Sequence, residues 1–201
     1  MGEKQIFQPL TREDKITVVL YRIGIVLSSI LMIALAFLVT TSSGPAPARA
    51  GLPADALAYG LCISIGMSVF FIHLYIGKFK VFLKNLYYLG IGCLLLLVYL
   101  GKGSPADALA HISYGPLLLL PLSGCLGFVT AKEAFCFKLF EGYLLAMFMP
   151  LYLLLVSAGF LTRGGASFGL VLIAVMLAFF TVRKVFMPLA YDIGDKSAYQ
   201  A

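Results

Sequence analysis

Apolar residues run along the chain in six stretches, near 16–39, 56–76, 85–100, 112–129, 143–161 and 167–182, with polar residues gathered between them. Most approach the roughly 20 helical residues that cross about 30 Å of hydrocarbon. A membrane barrel would read instead as weakly alternating segments of about ten residues. The pattern predicts an all-α, polytopic membrane bundle of six transmembrane helices. Its connections are short, so residues 1–201 read as a single membrane-embedded domain. The third run is the shortest and has to borrow from its flanks.

Composition agrees. Of 201 residues, 61% are hydrophobic and only 12% charged, and mean hydropathy is +0.99. A soluble domain carries roughly a quarter charged residues. The net charge of +6 does not point to nucleic acid, because its carriers are scattered mostly over the termini and the connections between runs. Lys4, Arg12, Lys15, Arg22, Lys78, Lys80, Lys84, Lys132, Lys138, Arg183, Lys184 and Lys196 fall on one side of the predicted membrane, and Arg49, Lys102 and Arg163 on the other. The positive-inside rule then places both termini in the cytoplasm. The first run is too long for the hydrophobic region of a signal peptide, and acidic Glu3, Glu13 and Asp14 precede it. The start MGEKQI is a poor myristoylation signal. Cys62, Cys93, Cys125 and Cys136 show no C-x-x-C spacing and imply no disulfide framework.

Two octapeptides, GLPADALA at Gly51 and GSPADALA at Gly103, agree at seven of eight positions. Each precedes an apolar run that enters from the less basic side. Pro53 and Pro105 suit a first helical turn, where a missing N–H costs nothing. Asp55 and Asp107 complement the positive end of the helix dipole, and Ser104 can cap the second copy. The pair reads either as a duplication, with spans one–two and three–four as repeats, or as convergence on a good helix start.

Ionisable groups gather toward the basic side. His73, in FFIHLYIGKFK, falls within the second run, and Cys62, Gly66, His73 and Gly77 share one helical face. Small residues on such a face admit a neighbouring helix. An ionisable side chain at that depth is a functional candidate, or a neutral imidazole donating one hydrogen bond. His111 reads as an interfacial residue. The segment TAKEAFCFKLFEG (130–142) concentrates Lys132, Glu133, Cys136, Lys138 and Glu141 with Phe135, Phe137 and Phe140. Wound as one helix, its charges point in widely separated directions with Phe between them. That argues for a break: span four ends near 131–133, the chain turns, and span five starts near 137–141. Lys132 and Cys136 pair at i,i+4, and Lys138 and Glu141 at i,i+3. A thiol beside Lys gains reactivity, and His73, Cys136, Glu133 and Glu141 are metal-ligand types without a metal-site spacing. Pro150 in the middle of span five kinks or loosens that helix.

FIHLYIGKFK, the later GFVTAKEAFCFKLFEG and the Tyr21-Arg22 pair together resemble a family of small bacterial integral membrane proteins of unknown function, with I-H-x-Y and G-F-x-x-K-E-x-F-C-F motifs. The resemblance implies a multi-pass protein of the bacterial cytoplasmic (inner) membrane and no particular reaction. It marks Tyr21, Arg22, His73, Tyr75, Lys78, Gly127, Lys132, Glu133, Phe135, Cys136, Phe137 and Glu141 as residues of interest. Of these, Tyr21, Arg22, His73, Tyr75, Lys78, Lys132, Glu133, Cys136 and Glu141 form the candidate cytoplasmic-side site.

Three functions fit. The first is transport or small-solute binding. The second is a membrane scaffold or assembly partner that docks through the cytoplasmic motif, to a membrane protein or to further copies of the chain. The third is a metal- or thiol-dependent membrane enzyme. The sequence points away from an enzyme more than toward one. It names no catalytic residue, metal or cofactor, and its one evident partner is the lipid bilayer.

Overall fold

In the computed structural model the chain is described over residues 11–41, 51–74 and 76–193. Its elements are α1 (Arg12–Thr41), α2 (Gly51–Phe71), α3 (Gly77–Leu100), a short α4 (Pro105–His111), a 3-10 segment (Gly115–Leu119), α5 (Leu120–Phe137), α6 (Phe140–Ser157), α7 (Arg163–Val185) and a one-turn α8 (Ala190–Ile193). Six helical stretches among the described residues are long and apolar enough to cross a membrane. One of them joins the 3-10 segment to α5 as Gly115–Phe137. Because the number of crossings is even, the start of α1, the α2–α3 connection, the α5–α6 turn and the end of α7 share one end of the bundle. We call it the basic end.

Several boundaries differ from expectation. The third span, whose apolar run is the shortest, borrows its N-terminal flank and forms a helix of 24 residues. Lys78, Lys80 and Lys84, which interrupt the apolar run, lie within its first turns, where long cationic side chains can reach water. The second span ends at Phe71, so His73 lies in the non-helical connection 72–74 rather than on a helical face. Gly77 opens the next helix. The Phe-Phe-Ile-His sequence supplies aromatic and β-branched residues that lose side-chain freedom in a helix. Cys62 and Gly66 do form a packing face, filled by Tyr87 of α3. The Tyr87 hydroxyl donates to the Cys62 carbonyl at 3.1 Å, and a Cβ on Gly66 would lie 2.3 Å from it.

The two octapeptides start helices but do not build the same structure. The first continues into α2. The second stops after seven residues, because Pro116 and Pro121 open new turns and cannot extend an existing one. The copies meet instead. Asp55 of the first accepts from Ser104 Oγ at 3.0 Å and from the Ala106 N–H at 2.9 Å. Ser104 also caps its own helix by accepting from Asp107 N–H at 3.1 Å. One carboxylate thus satisfies a helix start in the other copy.

The buried core draws residues from all six spans, among them Ile25, Val69, Leu83, Leu126, Leu145 and Leu177. Helices α1 and α2 approach most closely at Gly24, where an added Cβ would lie 2.4 Å from Ser68 Oγ and 2.7 Å from Ser68 N. One turn further along, Ser28 and Ser64 share a buried hydrogen bond of 2.8 Å. Helix α6 runs through Pro150 as a single element. Pro150 leaves the Ala146 carbonyl without its helical amide, and Gly127 brings the α5 backbone against that residue.

Gly24→Val should destabilise the bundle by about 1–3 kcal/mol, the usual cost of overpacking, seen as a lower thermal unfolding midpoint in detergent. Gly92→Ala, where no atom lies within 4 Å of the added Cβ, should not lower the midpoint, since Ala is the better helix former.

Candidate functional site

Three of the long helices, α1, α5 and α7, bring ionisable residues to the basic end on their buried faces. In α5 the stripe Leu122, Leu126, Val129 continues to Glu133. In α7 the stripe Leu170, Ala174, Leu177, Thr181 continues to Lys184. In α1, Val18, Tyr21, Arg22 and Ile25 are all buried. Helical spacing of three and four therefore aims these polar side chains at one another, and α8 adds Asp192 from beyond the last span.

The result is a buried ionic cluster. Glu133 Oε1 accepts from the Tyr21 hydroxyl at 2.7 Å and from the Lys132 ammonium at 2.7 Å. The Lys184 ammonium sits against Glu133 Oε2 as an ion pair without the angles of a hydrogen bond. It also donates to Asp192 Oδ1. Arg22 Nε donates to Asp192 Oδ2 at 2.7 Å. The side chains of Glu133 and Lys184 are fully buried and that of Asp192 is 1% exposed. Arg22 also donates to the carbonyls of Val185, Met187 and Pro188 at 3.1, 2.6 and 3.1 Å. It thereby holds the turn after α7 that presents Asp192.

Three cations face two carboxylates, leaving one positive charge in excess. Aromatic faces take up part of it: Lys184 Nζ lies 4.0 Å from the Phe137 ring centre, and Lys132 Nζ lies 5.6 Å from that of Tyr21. Phe137 in turn stacks on Tyr191 at 6.4 Å.

The structure brings Tyr21, Arg22, Lys132 and Glu133 together and leaves other expected residues outside the cluster. His73 contacts Thr17, with Nε2 3.2 Å from Oγ1, while its buried Nδ1 has no partner among the described residues. Cys136, one turn beyond Glu133 on α5, is exposed. The break in 130–142 exists but comes later than expected, at Lys138, whose φ of 55° and ψ of 39° are left-handed. Lys138 does not pair with Glu141. Glu141 accepts two bonds from Arg183, at 2.8 and 2.9 Å. Lys78 is exposed, and Tyr75 lies outside the described residues. No group of three His, Cys, Asp or Glu among the described residues is arranged to hold a metal ion.

Lys184 and Asp192 were missed by the sequence reading. Lys184 was legible in principle, because it falls on the α7 core stripe. Asp192 follows the last apolar run and carries no periodic signal.

The His73 imidazole has its pKa held below the ordinary 6.5, first by burial and then by the positive charges of Lys132 and Lys80; Asp192 and Asp14 pull the other way. Its protonation therefore opposes the folded arrangement. The stability it supports is present above the unfolded-state pKa and is lost as pH falls through the window below it. NMR of nitrogen-labelled histidine should find His73 titrating below 6.5, and titration at or above that value would contradict the arrangement. Lys184→Met leaves two buried carboxylates short of a partner and should cost about 3–5 kcal/mol of stability. Glu141→Gln breaks a pair whose arginine is 43% exposed and should cost no more than about 1 kcal/mol. Both are read from denaturant unfolding in micelles.

No curated protein and no solved structure matches the chain. Residues 67–201, which include α3, α5–α8 and every cluster residue outside α1, match the family described as uncharacterized integral membrane protein (DUF2301). The chain belongs to that family of integral membrane proteins.

Proposed function

We propose that the chain is a solute-moving protein of a bacterial cytoplasmic membrane, seen closed at its basic end, with both termini in the cytoplasm. The buried ionic cluster carries this reading. Ionisable residues within membrane helices mark pathways and gates far more often than they serve packing. A buried ion pair is also a poor means of gaining stability, because an apolar replacement of the same volume is often neutral or better. Four separate elements nevertheless converge on this one. Pairings of this kind can exchange partners when helices shift by a fraction of a turn, which suits a lock. The distribution of Lys and Arg supports the cytoplasmic placement.

The carboxylates weigh against the enzyme reading. Every oxygen of Glu133 and Asp192 already faces a cation or a hydroxyl, so neither is disposed to act as a base. The scaffold reading draws on the exposed Phe135, Phe140 and Phe186 at the same end, a distribution that interfacial anchoring also explains.

The native thiols test the lock. In the closed state a membrane-impermeant maleimide applied at the basic end should label exposed Cys136 and spare Cys125, which is fully buried. Asp192→Asn should open that end and raise Cys125 labelling several-fold, together with solute leak from proteoliposomes. Protection of Cys125 in a folded Asp192→Asn variant would leave the cluster a structural element and remove the support for transport.

A further inference from the structure

Away from the cluster, an open groove of about 580 Å³ lies between α2 and α3, lined by Ile63, Gly66, Met67, Phe70, Phe71 and Tyr87. The α2 residues recur at intervals of three and four, so the groove follows one helical face for about two turns, near 12 Å. Gly66 and the Tyr87 ring form its floor. Its walls face the surface that the bilayer covers: Ile63 is 65% exposed and Phe70 37% exposed.

The mouth of the groove is cationic. Lys84 Nζ lies 5.6 Å from the Phe70 ring centre, and Lys80 stands one turn nearer the basic end on the same face of α3. No carboxylate pairs with Lys80 or Lys84 in the ion pairs of the described residues. Like charges at i,i+4 repel by a few tenths of a kcal/mol. Lys84 also lies about 10 Å along α3 from its start, a depth at which its ammonium must reach up toward headgroups. An apolar groove beside two ammonium groups that no carboxylate neutralises is complementary to one kind of molecule.

We propose that this groove is a binding site for an anionic phospholipid, with an acyl chain along Ile63, Met67 and Phe70 and the phosphate between Lys80 and Lys84. Basic recesses between membrane helices on the cytoplasmic side take anionic headgroups by this electrostatic logic. The site does not depend on what the ionic cluster does.

The test is lipid retention by the full-length protein, extracted from nanodiscs containing equal phosphatidylglycerol and phosphatidylcholine and read by native mass spectrometry. Wild type should retain phosphatidylglycerol preferentially. Lys84→Gln should cut that preference about fivefold, the factor corresponding to ~1 kcal/mol per basic residue near the surface, and Lys84→Arg should keep it. Ile63→Trp, at an exposed position that fills the groove, should lower retention of both lipids. Lys138→Gln, an exposed cation elsewhere at the same end, should change nothing. Equal retention of the two lipids, or an equal effect of Lys138→Gln and Lys84→Gln, would overturn the proposal. So would a dimer that Ile63→Trp dissociates, which would make the groove a contact between copies.

Discussion

Desolvating five charged side chains at one end of an otherwise apolar bundle is the constraint around which this structure is arranged. A lone ammonium or carboxylate in a low-dielectric interior costs several kcal/mol even after relaxation. Lys184 is therefore tolerable only while Glu133 and Asp192 face it, Glu133 while Lys184 and Lys132 do, and Asp192 while Arg22 and Lys184 do. Those pairings require α1, α5 and α7 to end at matching depths. They also require the chain after α7 to fold back, which Arg22 enforces through three backbone carbonyls. The turn after Val185 and the Phe137–Tyr191 stack follow from that demand.

The opposite end is organised by a different economy. There a single carboxylate, Asp55, completes the start of α4, and the two octapeptides become partners rather than copies. Between the ends, close helix approaches at Gly24, Gly66 and Gly127 set the packing, as expected where lipid removes the hydrophobic drive between helices. The membrane-spanning middle is held by shape together with isolated buried hydrogen bonds such as Ser28–Ser64 and Tyr87–Cys62. Charged recognition is concentrated at the two ends.

Hydropathy made the six spans legible because the requirement for about 20 apolar residues acts on each span separately. Lys132 and Glu133 were legible as charges set among apolar residues, and Tyr21 and Arg22 only through the family resemblance. Their pairing was not. Whether Glu141 meets Lys138 or Arg183 depends on a left-handed turn at Lys138 that no periodicity announces. His73 looked like a helical residue because its neighbours are apolar, although α2 stops two residues earlier. Asp192 was invisible for another reason: an acid beyond the last apolar run looks like any solvated residue until that segment folds back.

The central claim is that Glu133 and Lys184 depend on each other inside the bundle. A double-mutant cycle measures this directly, with Glu133→Gln, Lys184→Met and the combined variant compared by unfolding free energy in the same micelles. The account predicts strong non-additivity, with the double variant recovering more than about 1 kcal/mol relative to the sum of the singles. Additivity within about 0.5 kcal/mol, the behaviour of sites that do not touch, would contradict it.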